Sequence, residues 1–501
     1  MSNLYLRLGA EFPSDLTRVF AFLADGQVVT YAEVDAGSAR FANALQGLGV
    51  KPGDRVAVQA EKSIAQLLLY LGCLRCGAVF LPLNTAYTAG ELEYFIGDAE
   101  PALFICDPAK VEAFSHLPAT LMKTLDAAGQ GSLAQLARDA SSAFDTVARN
   151  NDDLAAILYT SGTTGRSKGA MLSHDNLGSN AFTLRDFWQF SETDVLLHAL
   201  PIFHTHGLFV ATNVVLASGA SMIFLPRFDA SDVLKALPRA NVMMGVPTFY
   251  IRLLQEQSFT REHVAHIRLF VSGSAPLAAD IHREFEKRTD HKILERYGMT
   301  ETNMNTSNPY NGARIPGTVG LPLPGVKIRI ADSKSGAILP QGEVGVIEIS
   351  GPNVFKGYWR MPEKTEAEFR DGYFISGDLG RIDNHGYVSI VGREKDLIIA
   401  GGYNIYPAEI EAVIGDLAEV HEVAVIGVPH PDLGEAVVAV IVPRDPTFGN
   451  ADAISSGLAD QLARFKQPRK VIFTNELPKN AMGKIQKAHL REEHAYLFQN
   501  D

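Results

Sequence analysis

The feature that most constrains this chain is a short apolar run, residues 154–158, that leads directly into Tyr159-Thr160-Ser161-Gly162-Thr163-Thr164-Gly165-Arg166-Ser167-Lys168-Gly169. Six hydroxyls, three glycines and two cations crowd into that loop. Glycines let successive backbone N–H groups turn toward one anion, the hydroxyls add donors, and Lys168 supplies a mobile charge, so the loop is suited to phosphate. The apolar run reads as a buried strand, and a strand end is where α/β proteins bind ligands. The P-loop of NTPases requires G-x-x-x-x-G-K-[ST], and no such run follows Gly162 or Gly165. Gly/Ser/Thr clusters often form plain surface turns; the two cations and the preceding strand weigh for phosphate here.

At 501 residues the chain exceeds one ordinary core. Short apolar strands at 56–59, 79–83, 103–106, 221–225 and 269–271 alternate with amphipathic segments such as 31–48 and 63–73, which predicts α/β layering. After Gly317 the pattern becomes strands separated by turns, as at 326–330 and 344–350, which predicts a small β subdomain. Near Asp396 it changes again, to a helix 407–414, strands 422–428 and 437–442, a Pro/Gly/Ser-rich loop 445–457 and a last helix beyond Ile485. The expected division is an N-terminal α/β domain, 1–394, and a compact α+β C-terminal lid, 395–501, of ordinary domain size.

A hydrophobic fraction of 46% and a charged fraction of 20% describe a globular chain. The net charge of −12 argues against a nucleic-acid or anionic-membrane surface, so an anionic substrate must be drawn by local cations. Met1-Ser2-Asn3-Leu4-Tyr5 has neither the basic nor the apolar region of a secretory signal, and a cytoplasmic address is expected. The uncharged stretch 207–226 is broken by Asn213, Ser218, Gly219 and Ser221, and reads as helix, turn and buried strand rather than a membrane span. Three cysteines fit free thiols in a reducing compartment. Cys73 and Cys76 form a C-x-x-C in an apolar segment, without the second pair a zinc site needs, so core packing is expected.

Further motifs follow the loop in order: Ala199-Leu200-Pro201-Ile202-Phe203-His204, Ser272-Gly273-Ser274-Ala275-Pro276, Tyr297-Gly298-Met299-Thr300-Glu301, Ser376-Gly377-Asp378, Gly392-Arg393-Glu394-Lys395-Asp396 and Pro478-Lys479-Asn480-Ala481-Met482-Gly483-Lys484. Together with the loop, the set resembles the adenylate-forming enzymes: acyl-CoA synthetases, peptide adenylation domains and beetle luciferases. The resemblance spans nearly the whole chain and implies a large N-terminal adenylation domain, layered α/β plus a small β subdomain, under a mobile α+β lid. Its chemistry is attack of a carboxylate on the α-phosphate of ATP, then transfer to a thiol, with ATP, Mg²⁺ and coenzyme A as partners.

The resemblance also implies roles. Thr160, Ser161, Gly162, Thr163, Thr164, Gly165 and Lys168 would cradle the β- and γ-phosphates. Glu301 would hold Mg²⁺, a hard cation suited to carboxylate oxygens, and Thr300 would bond the α-phosphate. Tyr297 would stack on adenine, bracketed by Ser274, Ala275 and Pro276. Asp378 would accept both ribose hydroxyls, with Arg393 reaching the ribose from the hinge side. Lys484 would bridge the carboxylate and the α-phosphate, and its acetylation by a lysine acetyltransferase, reversed by a deacetylase, would remove that charge. Lys395 would be the hinge about which the lid turns to bring Gly401, Gly402 and Tyr403 to the thiol channel. Ser376 stands where Thr is commoner, with the hydroxyl kept.

Substrate choice turns on Arg296, placed where many members carry an uncharged residue. A guanidinium beside an acyl pocket is costly to bury unless paired, and a second carboxylate would clamp it bidentately. The run Leu294-Glu295-Arg296-Tyr297-Gly298 with Ser307-Asn308-Pro309-Tyr310 resembles the malonyl-CoA synthetases within the family. His206 would support the distal carboxylate, His204 would gate or pack, and Ser272 would line the same pocket. The competing reading pairs Arg296 with Glu295 or another acid at the rim. A monocarboxylate substrate, a carrier-loading adenylation protein and a nucleotide-binding protein without catalysis are the alternative functions.

Overall fold

The computed structural model describes residues 2–117, 121–160, 167–400, 403–458, 461–480 and 483–498, and four sheets organise them. One has six strands in the order Met122–Thr124, Leu103–Cys106, Arg55–Gln59, Val79–Pro82, Leu154–Thr160 and Lys168–Ser173, parallel except for the last. A nine-stranded sheet is built around the parallel strands Ser221–Phe224, Val195–His198, Val242–Gly245, Leu269–Ser272 and Leu294–Met299, with Asn303–Ser307 antiparallel beyond them.

The helix Ile64–Cys76 joins these two sheets in one core. Its sequence is apolar nearly all round, and such a helix must be covered on every side. The Ser63 hydroxyl accepts the Gln66 N–H at its start, and Gly77, at φ 77°, ends it in the left-handed region. Cys73 and Cys76 face the core from this helix and Cys106 from its strand; all are free and buried, and burial pushes the Cys76 and Cys106 thiols up to about 11. The C-x-x-C is packing.

Stretch 207–226 is a π-helix His206–Thr212 running into the helix Asn213–Ala217 and the strand Ser221–Phe224. Among the described residues no helix is long and apolar enough to cross a membrane. An antiparallel sheet of Lys327–Ala331, Gly345–Ser350, Tyr373–Ile382, Phe369–Arg370 and Val388–Arg393 forms the β subdomain. The next sheet begins at Ile398–Ala400 and is dominated by the hairpin Val420–His430 with Gly434–Pro443. The helix Pro407–Gly415 packs one face of that sheet and Lys487–Glu493 the other.

One expectation is corrected. Residues 445–457 are not all loop, because Ala451–Leu458 is a helix whose Ile454 and Leu458 are buried against Ile410 and Ile414. Two apolar residues four apart make a helical stripe that outweighs the Ser and Gly between them.

The crossing of Ile64–Cys76 over Tyr31–Gly47 depends on Gly72, where an added Cβ would lie 2.8 Å from Phe41 Cβ and 3.1 Å from the Ala42 nitrogen. Gly72→Ala overpacks this contact and should cost about 1–3 kcal/mol, read as a lower urea midpoint at unchanged slope. An unshifted midpoint would mean that the two helices separate freely.

Candidate active site

The parallel strands of the nine-stranded sheet deliver the expected residues at their C-terminal ends, where open α/β sheets form a crevice. Leu269–Ser272 leads to Gly273 and Ser274, Leu294–Met299 to Thr300 and Glu301, and Val195–His198 to the segment carrying His204 and His206. Ser161, Gly162, Thr163, Thr164, Gly165, Gly401 and Gly402 lie outside the described residues.

Asp378 is buried and held at both oxygens. The Tyr297 hydroxyl donates to Oδ2 at 2.5 Å, and Arg393 Nε pairs with Oδ1 at 2.6 Å. The Ser376 hydroxyl donates to the Ile347 carbonyl and accepts the Asp378 N–H, which is what the Thr-to-Ser departure had to preserve. Burial, reinforced by Asp378, drives the Tyr297 hydroxyl well above its ordinary pKa, so it stays a donor. Ser274 takes φ 72°, an unusual conformation for a residue with a side chain, and the exposed Pro276 follows it.

Thr160 and Lys168 end the two antiparallel strands that flank the loop, register partners with the Thr160 hydroxyl 3.4 Å from the Lys168 carbonyl. The Lys168 ammonium pairs with Glu368 at 3.0 Å and lies over the Tyr358 ring, 4.2 Å from its centroid. The Tyr358 oxygen is 3.1 Å from Glu301 and 2.7 Å from Glu368, linking both carboxylates. Tyr358 and Glu368 escaped the sequence reading because only the fold brings them to Glu301 and Lys168. Burial raises the Glu301 pKa, and this carboxylate has no ion-pair partner among the described residues. Nor do the described residues contain a group of three or more metal-ligating side chains. A single buried, underpaired carboxylate fits Mg²⁺, which takes one or two carboxylates and completes its shell with phosphate oxygens and water.

Arg296 is 2% exposed, and its Nε and Nη2 have no hydrogen-bond partner among the described residues. Burial pulls its pKa down to about 9, which leaves it charged at neutral pH. It does not pair with Glu295, since neighbours on a strand point to opposite faces; Glu295 instead accepts the Leu277 N–H. Gly273 makes room for the guanidinium, because a Cβ there would lie 2.3 Å from Arg296 Cζ. The unpartnered His206 Nε2 and Ser272 hydroxyl belong to the same expected pocket. Burial and then Arg296 hold both His204, at about 4, and His206 in the neutral form. His206 Nδ1 lies 3.2 Å from the Ser274 hydroxyl.

Lys484 comes from the lid on a tight turn. Gly483 (φ 74°) donates its N–H to the Asn480 carbonyl, and the Asn480 side chain accepts the Lys484 N–H at 3.0 Å. Gly483 packs near Thr248 of the N-terminal part. The residue keeps solvent access, but its ammonium is desolvated between the domains, and this, then Arg393, lowers its pKa against the pull of Asp378. Burial first, then the charges of Arg296 and Lys484, lower the His204 pKa. Lys395 sits in the 3₁₀ turn Glu394–Asp396, and Arg491 of the last helix anchors Asp396 at 2.8 Å. Tyr403 is exposed and stacks on Phe465, centroids 4.6 Å apart.

Residues 9–359 match the AMP-binding enzyme family, and residues 409–484 match the AMP-binding enzyme C-terminal domain. The chain is 36% identical to a feruloyl-CoA synthase from Amycolatopsis sp, over 93% of this chain and 94% of that protein. It is 32% identical to a malonate–CoA ligase from Arabidopsis thaliana, over 94% of this chain and 86% of that one. The crystal structure of ATP-bound MatB from Rhodopseudomonas palustris is 56% identical and superposes with a TM-score of 0.97 over 99% of each chain. The apo form of that MatB, equally identical, gives 0.86. The chain thus superposes more closely on the ATP-bound form than on the apo form.

Glu295 tests the electrostatics of this strand. Burial pushes its carboxyl up to about 8, so the folded protein keeps a proton that the unfolded chain releases near 4.5. A carboxyl with a raised folded pKa favours folding at low pH, and that contribution fades as pH rises between those values, by on the order of 1.4 kcal/mol per pH unit. Glu295→Gln should flatten this decline, so thermal midpoints of mutant and wild type diverge from pH 5 to pH 8 in the mutant's favour. Parallel curves would mean that Glu295 is ionised in the fold.

Proposed function

The chain belongs to the AMP-binding enzyme family, and from that membership we propose an ATP-dependent acid–CoA ligase whose acid is malonate, with 2-methylmalonate as a second candidate. The reaction forms an acyl-adenylate with release of pyrophosphate, then the CoA thioester with release of AMP. The observation that carries the substrate is the buried Arg296 guanidinium, two of whose donor nitrogens have no partner. A distal carboxylate supplies the missing acceptors, which a monocarboxylate cannot do.

Malonate then lies with one carboxylate on Arg296 and His206 and the other toward Lys484. Neutral His206, accepting the Ser274 hydroxyl hydrogen bond at Nδ1, donates from Nε2 to the distal carboxylate. Lys484 lies between the proximal carboxylate and the α-phosphate, offsetting the charge that develops as the carboxylate oxygen attacks phosphorus. Thr300 bonds the α-phosphate, and Asp378 with Arg393 holds the ribose while Tyr297 lies against adenine. Lys168, with Thr160 and the loop Ser161–Gly165, holds the β- and γ-phosphates. Mg²⁺, held by Glu301, neutralises phosphate charge when bound.

We place the domain boundary at Lys395, between the sheet that ends at Arg393 and the one that begins at Ile398. Rotation there withdraws Lys484 and brings Gly401, Gly402 and Tyr403 to a thiol channel, so one site serves two half-reactions. Acetylation of Lys484 by a lysine acetyltransferase would silence the first half until a deacetylase restored it. Three free, buried thiols support a cytoplasmic setting.

Lys484→Ala should lower adenylation by on the order of 10²–10³, as loss of one preorganised charge at a developing anion does, while preformed malonyl-adenylate plus CoA still gives thioester. Equal loss in both half-reactions would contradict a moving lid.

Arg296→Ala should lower malonate kcat/KM by about two to four orders of magnitude, since truncating one member of a buried ion pair costs roughly 3–5 kcal/mol. Acetate and propionate should lose little. Pyrophosphate exchange with each acid on both proteins measures this, and equal losses would make Arg296 structural and the substrate a monocarboxylate.

A further inference from the structure

Lys62 lies between the strand Arg55–Gln59 and the helix Ile64–Cys76, and has no ion-pair partner among the described residues. Its ammonium bonds His198 twice, with Nζ 3.1 Å from Nδ1 and 2.9 Å from the His198 carbonyl oxygen. It also lies over the Phe224 ring, 4.3 Å from the centroid. Burial pulls Lys62 and His198 well below their ordinary pKa values.

An amine donating to Nδ1 fixes the proton of a neutral imidazole on Nε2. His198 Nε2 is 2.9 Å from the Gly207 carbonyl oxygen, which also accepts the Thr212 hydroxyl at 3.0 Å. Gly207 is the second residue of the π-helix His206–Thr212, and it packs so tightly that an added Cβ would lie 1.9 Å from the Pro201 carbonyl oxygen. The Gly207 carbonyl thus takes side-chain donors both from the strand Val195–His198 and from the end of the turn itself, which ties the π-helical turn to the sheet. His206, the first residue of that turn, bonds Ser274 through Nδ1 and leaves Nε2 unpartnered.

We propose that Lys62 and His198 are positioning residues that set acid selectivity, locking the π-helical turn so that His206 Nε2 meets the same distal carboxylate as Arg296. The inference rests on the dicarboxylate reading above and deepens it, since neither residue touches substrate. A monocarboxylate does not depend on the lock.

Lys62→Met keeps the volume and removes the donor. It should raise malonate KM about tenfold, the size of one hydrogen bond, with kcat within about twofold, propionate KM unchanged and the thermal midpoint level or higher. His198→Leu should do the same, and His198→Gln, which keeps an N–H for the Gly207 carbonyl, should recover most of the malonate affinity. The His198 pair carries the test if Lys62→Met does not fold. Malonate and propionate KM rising together, or malonate KM unmoved in the folded variants, overturns the inference alone. A wild-type protein that takes no dicarboxylate overturns the proposed function and the inference with it.

Discussion

An ion held in the protein interior without a counter-ion costs several kcal/mol even after relaxation, and the acyl pocket is organised around keeping Arg296 in that condition. Strand alternation turns Glu295 away, although it is the adjacent residue and itself buried. Gly273 yields the volume that the guanidinium fills. His204 and His206 remain neutral, so they add donors without adding like charge. Among the described residues no partner meets two of the Arg296 nitrogens, and under the proposed function a dicarboxylate would supply it, in the way a preorganised site gains affinity.

The nucleotide side is built the opposite way. Asp378 already has Tyr297 on one oxygen and Arg393 on the other, and Lys168 has Glu368. These groups are held in place by protein partners, so their geometry does not wait for ligand. Lys484 stands apart from both schemes, because it comes from the C-terminal domain and its ammonium feels both the repulsion of Arg393 and the attraction of Asp378. Although the chain carries a net charge of −12, Arg296 is a buried cation with no acidic partner among the described residues, whereas Lys168 and Arg393 are paired with Glu368 and Asp378.

Much of this was legible in the sequence because the motifs sit at strand ends, and strand ends are local. The run 154–158 announced a buried strand, and the strand extends through Thr160. The run 269–271 likewise read as a strand, and the structure has Ser274 just beyond its end. Arg296 could be singled out because the resembling family often carries an uncharged residue there, but whether Glu295 satisfied it was a question of which face each residue takes, and the structure had to answer that. The helix Ala451–Leu458 was hidden for a related reason. Its two buried residues carry the helical signal while the residues between them favour turns, and the contact with Ile410 and Ile414 decided the contest.

What the sequence could not supply are partners joined across long separations. Tyr358 meets Glu301 from 57 residues away, and Lys62 meets His198 from 136. Neither residue has a local signature. A lysine before a helix reads as solvated surface, and a histidine at the end of an apolar strand reads as core. Lys62 meets His198 rather than a carboxylate, and His198 in turn meets the Gly207 carbonyl of the π-turn. Buried polar groups must find partners or be compensated. Following these contacts leads from Lys62 through His198 to the π-turn that begins at His206, and among the described residues His206 Nε2 and two nitrogens of Arg296 are left without a partner.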